Sequence, residues 1–72
     1  MENHKLDLHG VRHQDVDALV ENFVLTNQQS FPLTVVCGNS VKMTQLAETV
    51  LNRIGCNTFV LRYGTIIVHG FN

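Results

Sequence analysis

Asp7 and His9 stand two residues apart within Leu6-Asp7-Leu8-His9-Gly10. The alternation of Leu with polar residues predicts a strand with Leu6 and Leu8 on one face and Asp7 and His9 on the other. A carboxylate next to an imidazole at the end of a strand can serve as an oriented general base, the carboxylate holding the ring. The same pair also has a purely structural use, in which His9 caps backbone groups at the turn and Asp7 pairs with Arg12 or Lys5. Gly10 ends the strand and lets the backbone turn sharply.

A second polar group lies at Gly38-Asn39-Ser40, just before a helical pattern, with Asn39 or Ser40 as its N-cap. Free N–H groups at a helix start attract anions. Lys42 in that first turn opposes the helix dipole, which is explained either by a visiting phosphate or by a side chain turned to solvent. Arg62 and Tyr63 form a third pair: an Arg for phosphate and a Tyr for stacking on a base, or a hairpin turn with Arg62 solvated and Tyr63 partly packed. His4, His9, His13, His69 and Cys37 are potential metal ligands, but no two have zinc-finger spacing and no metal site is expected. The two cysteines, Cys37 and Cys56, are too few for a disulfide scaffold and lack a CxxC spacing, so both are expected as free thiols.

The elements that must position these groups are readable from periodicity. A first strand is expected at 5–9. Val16, Leu19, Val20, Phe23 and Val24 then make one helical stripe, which ends in Thr26-Asn27-Gln28-Gln29-Ser30 before Pro32. The β-branched run 33–37 is a second strand. Met43, Leu46, Ala47, Val50, Leu51 and Ile54 form a second helical stripe, closed by Gly55. Strands at 57–62 and 65–69 flank a tight Tyr63-Gly64 turn. The order is βαβαββ, an α/β two-layer sandwich. Right-handed crossovers put both helices on one face and leave the other to solvent or a partner. The first two strands are expected as parallel neighbours, so Asp7 and His9 lie beside the Gly38-Asn39-Ser40 loop at the carboxyl edge, where such sheets commonly hold ligands.

At 72 residues, the chain is expected to form a single domain, 1–72, near the lower limit for a self-sufficient core. Its 44% apolar and 15% charged content suits a folded chain. Runs such as Ile66-Ile67-Val68 are far too short to span a bilayer, so no membrane partner is expected. The polar start Met1-Glu2-Asn3-His4-Lys5 has no signal-peptide pattern, which makes the cytoplasm the expected location. With a net charge of −1, any nucleic-acid binding would rest on a few local cations and be weak and salt-sensitive.

Leu6-Asp7-Leu8-His9-Gly10-Val11-Arg12 resembles the N-terminal LDLHG signature of the small MutS-related (Smr) domain. The likeness continues through the first helix, Val35-Val36-Cys37-Gly38, the second helix and Gly64-Thr65-Ile66-Ile67-Val68, and so covers nearly the whole chain. The resemblance implies a fold similar to the C-terminal domain of bacterial translation initiation factor three, with a mixed sheet in the order 1-2-4-3 and strand four antiparallel. It implies nucleic-acid binding and, in many members, DNA nicking or RNA endonuclease activity, either metal-independent or stimulated by a divalent cation such as magnesium. On the matching positions, Asp7 and His9 are the acidic and His residues, Gly10 the turn glycine and Gly38 the first glycine of the second motif. That second motif usually reads HGxG or TGxG. Here Cys37 replaces the His or Thr and Ser40 the second glycine, and Ala47 stands where a basic residue often follows the Leu of the second helix.

The expected function is nucleic-acid binding at the carboxyl edge. Asp7 and His9 are the catalytic candidates, with Gly10, Arg12, Gly38, Asn39, Ser40, Lys42, Arg62 and Tyr63 as the contacts. The alternative is a non-catalytic module that keeps the fold and binds a protein partner through its open sheet face or an edge strand.

Overall fold

The computed structural model describes residues 4–61 and 64–72. Arg62 and Tyr63, both candidate contacts, lie outside the described residues. The elements run β1 (Lys5–Asp7), α1 (His13–Thr26), β2 (Leu33–Val36), α2 (Val41–Arg53), β3 (Cys56–Leu61) and β4 (Thr65–Phe71). They form a four-stranded mixed sheet in the order β1-β2-β4-β3. β1 and β2 are parallel, and β4 is antiparallel to both β2 and β3.

One core joins the two layers. Val16, Val20 and Val24 of α1 and Met43, Ala47, Val50 and Leu51 of α2 cluster with Leu8, Leu33, Val35, Ile66 and Val68 from one face of the sheet. Leu8, Leu33, Leu51 and Ile66 are fully shielded from water. Burial of each such side chain contributes roughly 1.5–3 kcal/mol. Outside the core, Arg53 of α2 reaches Asp17 and Glu21 of α1, at 2.6 and 2.9 Å. These exposed carboxylates hold its guanidinium above its ordinary pKa, the Glu21 hydrogen bond first.

The strands differ from expectation at their ends. β1 stops at Asp7 rather than His9, because the chain turns at once: the Leu8 carbonyl accepts from the Val11 N–H at 3.0 Å. Leu8 itself stays bonded to the sheet, its N–H donating to the Val36 carbonyl at 2.8 Å. β4 runs on to Phe71 rather than ending at His69. His69 is an extra residue between the pairs Thr58↔Val68 and Asn57↔Gly70, a β-bulge after which pairing resumes. Phe71 beyond it meets Phe31 edge to face, with ring centroids 5.6 Å apart.

Cross-strand partners share a face. On the helix side, Leu6, Val35, Ile66 and Val60 form one row. On the open side the rows are Lys5, Thr34, Ile67 and Phe59, then Asp7, Val36, Thr65 and Leu61. Among the described residues, no helix is long and apolar enough to cross a membrane.

Candidate functional site

The pairing of β1 with β2 sets Asp7 beside Val36, so the segments that follow each strand emerge next to one another. The first is a turn. Gly10 adopts φ 80°, the value needed at the third residue of a type II turn over 8–11. The Asp7 carboxylate accepts the His9 backbone N–H at 2.9 Å, an Asx-type contact that fixes the turn from within. The carboxylate thus reaches His9 through its backbone. No hydrogen bond or ion pair joins the Asp7 side chain to the imidazole, Arg12 or Lys5 among the described residues. His9 and Gly10 are exposed, and Arg12, also exposed, is the N-cap of α1 without a side-chain cap of its own.

The second segment is a loop built differently. Gly38 takes φ 68°, and Ser40 caps α2, its Oγ accepting the Met43 N–H at 3.0 Å. The Thr44 hydroxyl donates to the Ser40 carbonyl at 3.0 Å. Cys37 is buried where the loop leaves β2, and its N–H donates to the Gly64 carbonyl at 2.6 Å. Gly64 sits so close beneath that a Cβ on it would fall onto the Gly38 carbonyl oxygen. Burial pushes the Cys37 thiol above its ordinary pKa and Glu48 adds to this, while a hydrogen bond with Thr44 partly offsets it. Lys42 projects from the first turn of α2, exposed.

Between this loop and the β3–β4 hairpin lies a shallow cleft of about 260 Å³. Gly38, Asn39, Ser40 and Thr44 contribute polar groups to its lining, and Val41, Val60, Leu61 and Gly64 complete it. Asp7, His9, Gly10 and Arg12 are not among its lining residues. The candidate residues therefore fall into two neighbouring groups on one edge: the exposed turn at the end of β1, and the loop with its cleft at the end of β2. Val41, Thr44, Val60, Leu61 and Gly64 line the cleft beyond the residues expected at the site. The run Phe59-Val60-Leu61 carries a signal for Val60 and Leu61, since three consecutive apolar residues in a strand must place at least one on each face. No cluster of three or more His, Cys, Asp or Glu able to hold a metal ion is found among the described residues.

Comparisons of the chain with models of protein families, with curated proteins and with solved structures find no match.

Proposed function

We propose that this chain binds nucleic acid through its sugar–phosphate backbone, laid across the β1–α1 turn and the β2–α2 loop, as its resemblance to Smr domains implies. The observation that carries this reading is the parallel β1–β2 register, which places the two segments side by side at the carboxyl edge. The turn contributes His9 and Arg12, and the loop contributes Lys42 with the backbone N–H groups at the start of α2. All three side chains are exposed, and none is engaged by a carboxylate among the described residues. In this reading, phosphates bridge the turn and the loop, and the apolar Val60–Leu61 wall of the cleft packs against a sugar or base. Strand scission belongs to the same reading as its catalytic extension. His9 is then the general base or phosphate-polarising group, and Asp7 is a positioning residue that holds the turn presenting it.

The test is an NMR titration of labelled protein at low salt with single-stranded RNA, duplex DNA and branched DNA. Shifts centred on His9, Arg12 and 38–42 with at least one of them support the site. No shift with any of the three overturns the reading in favour of a module that binds protein. For scission, wild type must cleave a substrate that binds while folded His9→Ala leaves it intact. Equal background from both removes the catalytic extension and leaves binding in place.

A further inference from the structure

The two edges of the sheet are finished in opposite ways. β1 is three residues long and its open-face residues, Lys5 and Asp7, are both charged. A short, charged strand is how proteins discourage edge-to-edge pairing. β3 is six residues long, Cys56 to Leu61, and has neither a charge nor a proline. Among the described residues it pairs with β4 alone, so its outer row of backbone N–H and C=O groups has no strand opposite. Phe59, Val60 and Leu61 are 55%, 40% and 41% exposed along that edge.

We infer that β3 is a homodimer edge: two copies pair β3 to β3, antiparallel, into one eight-stranded sheet. The occupant must be an extended strand that accepts an uncharged, apolar neighbour, and β3 meets that requirement itself. A two-fold axis normal to the sheet reverses the strand direction while keeping each face on its own side. Helices of both copies then cover one face and the open faces join. Because facing residues must share a side, only registers that pair odd positions with odd and even with even are allowed. The register with Phe59 opposite Phe59 of the second copy satisfies this rule and uses all of 57–61. Thr58 then faces Val60 and Asn57 faces Leu61. On the open face the row Ile67–Phe59 of one copy continues directly into Phe59–Ile67 of the other, an aromatic pair flanked by aliphatic neighbours. A net charge of −1 per chain adds little repulsion. The pairing is isologous, so it closes at two copies and removes the open β3 edge from both. The inference uses none of the cations of the turn or the loop, and it meets the nucleic-acid reading only at Val60 and Leu61, which line the cleft as well as the β3 edge.

The experiment is sedimentation equilibrium on the chain from micromolar to millimolar concentration, with hydrogen exchange read residue by residue. Wild type is expected to rise from the 8.1 kDa of one chain to a plateau at twice that mass. The β3 amides that do not bond to β4 should become protected over the same range. Phe59→Lys and Phe59→Glu, each verified as folded by circular dichroism, should each weaken dimerisation at least about tenfold, because like charges then face each other at the axis. Their equimolar mixture should associate again. Any of several results overturns the inference: a single-chain mass at every concentration, growth without a plateau, a dimer with unprotected β3 amides, or a dimer unchanged by both substitutions. Failure of two folded variants to re-associate when mixed also overturns it, as does protection of the β3 edge that appears only when RNA is added.

Discussion

The β1–α1 turn and the β2–α2 loop begin alike and end differently. Each follows one of two parallel strands, each turns on a glycine with positive φ, and each starts a helix. The turn over 8–11 is held by its own atoms, through the Asp7 carboxylate on the His9 N–H and the Leu8 carbonyl on Val11. A Cβ at Gly10 would meet nothing within 4 Å. The loop has a local cap at Ser40 but is also braced by a distant part of the chain: Gly64 lies under Gly38, and its carbonyl accepts the Cys37 N–H. A locally held turn leaves its side chains free to face solvent, while a loop braced from below presents a fixed backbone. The proposed interface needs both, movable cations from one and preset N–H donors from the other.

The largest effect is expected at Gly64. Gly64→Ala adds a Cβ where the Gly38 carbonyl lies and forces a left-handed backbone on a residue that disfavours it. The expected cost is about 3 kcal/mol or more, read by denaturant unfolding, and the loop amides should shift with it. Gly10→Ala meets only the backbone penalty, about 1–2 kcal/mol, and should leave the loop amides in place. Equal costs at the two glycines would contradict the contrast.

The two helix starts differ as well. Ser40→Ala removes the hydrogen bond from the Met43 N–H to the cap side chain and should destabilise by about 1 kcal/mol. Arg12 caps no backbone group with its side chain, so Arg12→Ala should change stability by less than about 0.5 kcal/mol while weakening nucleic-acid binding.

The smallest effect concerns pH. Burial raises the pKa of both Cys37 and Cys56, so the folded chain holds these protons more tightly than the unfolded chain does. Stability is therefore unaffected below the ordinary thiol range and falls as pH climbs through it. Thermal unfolding across alkaline pH should show this decline, and Cys37→Ala should flatten the share that comes from the β2–α2 loop.

Much of this architecture is legible in the chain because it depends on near neighbours. The alternation of Leu6 and Leu8 with Asp7 and His9, the valines of α1 and a cap at Asn39 or Ser40 follow from strand and helix periods and from local hydrogen bonding, and the structure selects Ser40. What depended on distant contacts was harder to see. Nothing near Gly64 announces that it must fit under Gly38, and although Gly70 is a bulge signal beside His69, nothing there announces that β4 runs on until Phe71 meets Phe31. Leu19 fits the apolar stripe of α1 yet is 39% exposed, because the core beneath that helix is filled by Val16, Val20 and Val24. The partner of the Asp7 carboxylate was also hidden, since the residue pair is the same whether it bonds to an imidazole or to a backbone N–H.

If turn and loop grip one phosphate backbone together, as proposed, the salt dependence of binding must report both. Affinity for single-stranded RNA would be measured over a range of salt for wild type, Arg12→Gln, Lys42→Gln, the double variant and Lys5→Gln. Each lost phosphate contact should lower the slope of log affinity against log salt by about 0.7, so the double variant should lose about twice as much as either single one, and Lys5→Gln should behave as wild type. Slopes unchanged in Arg12→Gln and Lys42→Gln, or altered only by Lys5→Gln, would contradict the account and move the interface off the carboxyl edge.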